Sequence, residues 1–331
     1  MAATMKDIAK RAKVSVITVS RALNDKHDIN AETKNRILKI ARDLNYATDQ
    51  LARGLVTRKT RTIGVLVPDN VDSFYAAVVQ GVGDECRERG YGIFLWNTLD
   101  SADKELEYLR QAREKRADGI LLYPVQADNR YIDELKRSSA PIVFLNRHTD
   151  DPFYDHVMND NVHGAYLAVR HLIQKGHTKI SYVCAKPNAS TGQERIAGCR
   201  MAIKEAGLPS DSLDLLFCEE SIESSYRLVK DLVAREKPPS AIFMWDDRLA
   251  VSAIKAIREA GLGIPGDIAV VGYDDIEIAA YLYPPLTTVR QPSHQIGETA
   301  ARILLNKLES KTLPVTQKVV LKPELVIRET T

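Results

Sequence analysis

Between Val14 and Asn24 the chain reads VSVITVSRALN, which sets hydroxyls at Ser15, Thr18 and Ser20, a guanidinium at Arg21 and a carboxamide at Asn24 in one short run. These groups give and accept hydrogen bonds. They lack the adjacent nucleophile and base that bond-breaking chemistry needs, so the run is suited to recognition. Ser15 can cap a helix from Val16 to about Leu23. Val19, Ala22 and Leu23 give that helix an apolar side and leave Val16, Ile17, Thr18, Ser20 and Arg21 at its start and on its outer face. Upstream, Thr4-x-x-Asp7 fits a capping box, and Ile8, Ala9 and Ala12 follow on one helical face. Two short helices joined at Lys13–Ser15, the second with its first turn available, match a helix-turn-helix whose second helix enters the DNA major groove. A helical hairpin at the edge of an enzyme fits the same periodicity, and charge separates the two readings.

Residues 1–60 carry 13 Lys+Arg against 6 Asp+Glu, whereas the remaining residues carry 33 against 38. A basic head on a mildly acidic body points the head at phosphate. Asn30 can cap a third helix, Ala31–Leu44, whose stripe Ile37, Ile40, Ala41 and Leu44 completes a small core. A short helix Gln50–Val56, capped by Asp49, and the basic tether Arg58–Arg61 follow as a linker. So short a helix is not stable alone, because nucleation costs more than its few bonds return.

From Thr62 short apolar strands alternate with amphipathic helices. The strands are Ile63–Val67, Gly92–Asn97, Gly119–Tyr123, Ile142–Leu145, Lys179–Cys184, Ala241–Trp245, Ile268–Gly272 and Thr287–Arg290. The helices between them include Tyr75–Arg89, Val162–Lys175, Arg195–Ala206 and Leu249–Ala260. That alternation predicts parallel sheets covered on both faces, with ligands at the carboxyl ends of the strands. Gly90-Tyr91 and Gly176-His177 recur where a helix gives way to a strand, which suggests two similar halves. The break falls near Asn159–Gly164.

Composition narrows the function classes. With 331 residues, 44% hydrophobic and 27% charged, the chain suits two or three globular domains. The N-terminus is polar and no apolar run is long enough to span a bilayer, so a cytoplasmic protein without membrane partners is expected. The four cysteines show no paired spacing and the seven histidines no ligand pair, so neither a metal nor a cofactor is implied. There is no G-x-S-x-G elbow, and Gly81-Val-Gly83 lies inside a helical pattern, away from any dinucleotide fingerprint. An α/β enzyme is thereby disfavoured. A periplasmic-type sugar-binding protein shares the two-lobed cleft but needs a signal peptide and has no use for a basic head.

The chain closely resembles the LacI/GalR family of bacterial transcription regulators over essentially its whole length. The head carries Asp7-Ile8-Ala9, Val14-Ser15, Thr18-Val19-Ser20-Arg21 and Leu23-Asn24; the linker carries Ala52-Arg53 and Leu55. The body carries Gly64-Val65, Asp118-Gly119-Ile120, Asp160-Asn161, Glu194-Arg195, Val271-Gly272-Tyr273-Asp274-Asp275 and Pro285-Leu286-Thr287-Thr288-Val289. The resemblance implies an α/β protein with an N-terminal all-α helix-turn-helix head and a two-lobed, periplasmic-binding-protein-like core of doubly wound parallel sheets. It implies a helix-turn-helix domain at 1–46, a hinge helix and linker at 47–61 and an effector-binding core at 62–331. Lobe 1 would take about 62–160 plus 292–321, and lobe 2 about 161–291 plus 322–331. No leucine heptad trails the last strand, so a homodimer is expected rather than a tetramer.

By family position Val16, Ile17 and Arg21 face base edges. Arg21 can give guanine two hydrogen bonds, and Val16 and Ile17 can read only thymine methyls and shape. Ser15, Thr18, Ser20 and Asn24 suit phosphates. Ala52, Arg53 and Leu55 belong to the hinge, where Leu55 matches the leucine that wedges into the minor groove of a palindromic operator. Ala47-Thr48-Asp49 stands where relatives usually show Pro-Asn. In the cleft the family's pocket falls on Phe74, Arg147, Asp160, Arg195, Asp246, Asp274 and Gln291. Carboxylates and arginines that share hydroxyls suit a sugar effector. Asp246 can alternatively cap its helix, Asp160 can hold the lobe crossing, and Arg147 can pair with Asp160. The family's aromatic platform in lobe 2 falls at Glu220, which cannot stack; Trp245, Tyr281 or Tyr283 can replace it or simply pack.

Overall fold

The structure is a computed structural model that describes residues 3–23, 29–44, 46, 59–125, 130–138, 140–147, 153–310 and 315–331. Two compact units make up the chain, Met1–Thr60 and Arg61–Thr331.

In the first unit, α1 (Met5–Ala12) starts at the expected capping box. The Asp7 N–H donates to the Thr4 hydroxyl at 3.3 Å, and the Thr4 N–H donates to the Asp7 carboxylate at 2.9 Å. Lys13 ends α1 in the left-handed region, at φ 53°. Helix α2 (Val16–Leu23) is capped by Ser15, whose hydroxyl accepts from the Thr18 N–H at 3.1 Å. Helix α3 (Ala31–Asp43) is capped by Asn30 through the Glu32 N–H at 2.8 Å. Ile8, Ala9 and Ala12 of α1, Val19 and Ala22 of α2, and Ile37 and Ala41 of α3 form the buried core. Burial of each branched side chain contributes roughly 1.5–3 kcal/mol, which makes this a small core, sufficient for one short helix to be held with its other face outward.

In the second unit β1 (Thr62–Val67), α4 (Ser73–Glu88), β2 (Gly92–Asn97), α5 (Ala102–Glu114), β3 (Gly119–Leu122), α6 (Arg130–Arg137), β4 (Ile142–Leu145) and β5 (Asp155–Asn159) come first. Then follow α7 (Asn161–Gln174), β6 (Ile180–Cys184), α8 (Ser190–Glu205), β7 (Leu213–Phe217), α9 (Ile222–Val233), β8 (Ala241–Met244), α10 (Asp247–Glu259), β9 (Ala269–Asp274) and β10 (Thr287–Arg290). Helix α11 (Ser293–Glu309), β11 (Lys318–Leu321) and β12 (Glu324–Val326) complete it.

The strands form two sheets, ordered β11-β5-β4-β3-β1-β2 and β12-β10-β9-β8-β6-β7. Every pairing is parallel except β12 with β10, which is antiparallel. The chain passes between the sheets after β5, after β10 and between β11 and β12. Buried strands such as β3 and β8 are apolar on both faces, as helices on either side of a parallel sheet require.

Four strands and one helix fall outside the pattern read from the sequence: β5, β7, β11, β12 and α6. Strand β5 is the sequence DHVMN, whose polar ends hide it. It is buried because β4 and β11 flank it and its acidic end is answered: Asp155 is ion-paired with Lys307 and accepts from the Gln317 N–H at 2.7 Å. The glycine pair Gly81 and Gly83 does lie within a helix, α4. A Cβ at Gly81 would sit 2.0 Å from the His294 carbonyl oxygen, and one at Gly297 only 1.9 Å from that of Val78. Gly81 and Gly297 let α4 and α11 cross in contact, which is a packing role. Among the described residues no helix is long and apolar enough to cross a membrane.

Candidate DNA-reading face and effector cleft

On α2 the apolar periodicity buries Val19 and Ala22 and leaves Val16 and Ile17 outward, 39% and 66% exposed. Arg21 is exposed on the same helix, and Ser20 and Thr18 are half-buried. Two exposed aliphatic side chains at the start of a short helix are not core residues. The Ser15 hydroxyl is engaged by the Thr18 N–H and lies 2.8 Å from the Thr18 hydroxyl, so it fixes the first turn. Asn24, Ala52, Arg53 and Leu55 lie outside the described residues.

The cleft is built at the carboxyl ends of the strands of both sheets. From lobe 2, Arg195 on α8 is buried between two aromatic rings, its guanidinium 3.6 Å from the Tyr273 centroid and 4.4 Å from that of Trp245. Its Nε donates to Asn161 at 3.2 Å and one terminal nitrogen to the Trp245 carbonyl at 2.6 Å. Asn161 in turn donates to Glu194 at 2.9 Å, which explains the Glu194-Arg195 pairing in the sequence. Burial works against the Arg195 charge, but Tyr273, Tyr182 and Asp274 outweigh it and hold the guanidinium protonated.

Asp274, at the end of β9, has φ 111°, an unusual backbone for a non-glycine residue. Its carboxylate accepts from Gln291 Nε2 at 2.5 Å. Burial raises the Asp274 carboxyl well above the usual range against the pull of Arg195, and nearby Asp246, Asp247 and Asp72 add to the rise. Gln291 is buried, and its Oε1 has no hydrogen-bond partner. Asp246 caps α10 by accepting from the Leu249 N–H at 2.6 Å, and burial pushes its carboxyl up to about 6. It therefore does what its helix-cap reading foresaw while still lying in the cleft.

From lobe 1, Arg147 is 2% exposed and pairs with Asp100 at 3.0 Å, not with Asp160. It also donates to the Pro124 carbonyl at 2.9 Å and lies over Tyr123, while its Nε is unpaired. Asp160 spends its carboxylate on the His163 N–H at 2.9 Å, capping α7 at the lobe crossing. Phe74 is buried in the lobe 1 core, edge-on to Tyr75 at 5.2 Å. Tyr281 and Tyr283 are 76% and 81% exposed and are not cleft residues, which leaves Trp245 as the aromatic of the three in the site.

Sequence reasoning missed Asp100, Lys186 and Asp247. Asp247 is buried and accepts from the Thr288 hydroxyl at 2.5 Å and the Ile276 N–H at 2.9 Å, and burial pushes its carboxyl up to about 8. Its place directly after Asp246 was the available signal.

A three-helix head with an outward apolar and basic face, joined in one chain to two parallel-sheet lobes around a polar cleft, defines a ligand-responsive transcription regulator. Residues 4–49 match the model for bacterial regulatory proteins of the lacI family, and residues 169–331 match that of the periplasmic binding protein-like domain. The chain is 38% identical over 310 residues to the HTH-type transcriptional repressor PurR of Aliivibrio salmonicida, covering 93% of each protein. It is 34% identical over 328 residues to the PurR of Mannheimia succiniciproducens, covering 99% of this chain and 98% of that one. Among solved structures, a LacI family regulator from Enterococcus faecium with bound ribose has a TM-score of 0.75 at 29% identity, covering 82% of this chain and 98% of that chain. A CelR–cellobiose complex has a TM-score of 0.76 at 27% identity, covering 99% and 100%. A lac repressor dimer on its operator has a TM-score of 0.90 at 24% identity over 100% of this chain and 99% of that one, which shows the shared fold. This chain belongs to the lacI family and is a helix-turn-helix DNA-binding transcriptional regulator.

Proposed function

We propose that the protein is a cytoplasmic repressor without enzymatic turnover that binds a palindromic operator as a homodimer. In this reading Val16, Ile17 and Arg21 face base edges, and Ser15, Thr18, Ser20 and Asn24 meet phosphates. Leu55, beside Ala52 and Arg53, wedges the minor groove. The observation that carries it is the outward face of α2: Val16 and Ile17 exposed beside Arg21, opposite a side that is fully spent on the core. An exposed Ile of this kind is tolerated where a partner later covers it. Homodimerisation has its own support in exposed apolar side chains on the edge strand β2, Phe94 and Leu95 at 41% and 38%.

The effector reading places a polyhydroxylated small molecule in the cleft, held by Arg195, Asp246, Asp274 and Gln291 with Phe74, Arg147 and Asp160 around it. The unpaired Gln291 acceptor and Arg147 donor support it, since such buried groups call for a partner. The bound ribose and cellobiose of the structural relatives give it a chemical precedent. A ligand with different affinity for open and closed lobes would then bias operator binding.

The test is selection of duplexes from a random pool, followed by operator titration with and without pentoses, hexoses, disaccharides and purine bases. A two-fold symmetric site whose affinity shifts with one of these ligands is the expected outcome. Enrichment of no symmetric site under any of these conditions would sink the reading.

A further inference from the structure

Asp100 follows β2 of the first sheet, and Glu220 follows β7 of the second. The ammonium of Lys186, which follows β6, stands between them. It is 2.6 Å from Glu220 and ion-paired with Asp100. On the far side of Asp100 is the Arg147 guanidinium. Four charges of alternating sign thus run from one lobe to the other. Burial works against the Asp100 charge, but Arg147 and Lys186 prevail and hold its carboxyl below the usual range.

The rest of the cleft is richer in carboxylates than in cations. Asp72 and Asp246 lie near the Arg248 guanidinium, and Asp274 near Arg195. Burial raises the Asp72, Asp246 and Asp274 carboxyls, so a further anion would add to groups that already resist ionisation in this space. The buried Gln291 Oε1, an acceptor with no donor, independently asks for a ligand N–H or O–H beside Asp274.

We propose that Asp100 and Glu220 form a seat for a primary ammonium group, filled by the chain's own Lys186, and that the effector is a polyhydroxylated amine whose ammonium takes that seat. The inference rests on the cleft being the effector site. Lysine suits the role of a displaceable occupant because its charge is compact and its stem flexible. Exchanging one ammonium for another leaves the charge of the seat unchanged, so net affinity comes from the hydroxyls that reach Arg195, Asp274 and Gln291. The departing Lys186 regains hydration and rotamer freedom, a gain that a neutral sugar, which leaves Lys186 in its seat, does not obtain.

Chemical rescue tests the seat directly. Lys186→Ala should melt below the wild type. n-Propylammonium chloride should restore the melting temperature, whereas propan-1-ol and sodium chloride at matched ionic strength should not. Asp100→Asn in the same background should abolish the rescue, and Lys186→Met, whose stem blocks the approach, should melt low without being rescued. An unchanged melting temperature in Lys186→Ala, or rescue by propanol equal to that by the amine, overturns the seat. In the wild type D-glucosamine should raise the melting temperature more than D-glucose or gluconate; equal shifts overturn the ligand class. Rescue of melting by n-propylammonium, with operator affinity unmoved by D-glucosamine in the wild type, would keep the seat and remove the effector reading of the cleft.

Discussion

Ile17 on α2 is 66% exposed, and Arg195 in the cleft is 4% exposed with its Nε and one terminal nitrogen engaged. The two proposed recognition surfaces differ in when desolvation is met. In the cleft the charges left water when the lobes folded. Their geometry is fixed by neighbours, and a ligand finds donors and acceptors already aimed. On α2 the desolvation is deferred until a partner arrives, and only the helix backbone is fixed in advance. Substitutions in the cleft should therefore damage stability and binding together, while substitutions on α2 should separate them.

The largest expected effect is that of Arg195→Ala. It leaves Asn161 and the Trp245 carbonyl without their donor and Asp274 without its cation. Breaking a buried charge cluster costs about 3–5 kcal/mol. Calorimetric melting should show this in the Arg61–Thr331 unit, and an unchanged melting temperature would break the contrast between the two surfaces.

Asp246→Asn should act in the other direction and only over part of the pH range. Burial raises the carboxyl from 3.8 to about 6, so the folded state holds this proton more tightly than the unfolded state. Stability therefore declines as pH rises from the lower value to the upper and is level above it. A shift of this size corresponds to ~3 kcal/mol at full ionisation. Asparagine keeps the helix cap and cannot ionise. Its advantage over the wild type should open across that window; a constant difference from acid to neutral pH would assign the effect to packing.

Arg21→Ala should cost about 1–3 kcal/mol of operator discrimination and leave the melting temperature alone. Competition titrations against mutated operators would show whether the loss is confined to one base pair of each half-site. The smallest effect on stability belongs to Ile17→Ala, within about 0.5 kcal/mol as for other exposed sites, alongside a clear change in operator preference. A large loss of stability there would mean that Ile17 is a core residue after all.

The elements that the sequence showed plainly are those whose signals are local. The Thr4–Asp7 box and the Asn30 cap each span a few residues, so α1 and α3 could be placed from type and spacing. Strand β5 could not, because the partner that accommodates its buried Asp155 is Gln317, 162 positions away. In the site, Arg195 and Asp274 sat inside motifs that the family resemblance supplied. Asp100 sat in none: it follows Leu99, both at positive φ, 49° and 51° respectively. It meets Lys186 only because β2 and β6 end at the same gap. Charge pairs formed by the register of two separate sheets leave no periodicity to read.

Only Lys322 and Pro323 stand between β11 and β12, yet these strands are the outermost members of different sheets. During synthesis the β5 and β10 edges therefore stay open until the same late stretch leaves the ribosome. Unpaired edges of this sort invite pairing with other chains, so a transcript broken before Lys318 would yield two sticky lobes rather than one usable lobe. The lobes mature as a couple, timed by a single stretch of chain.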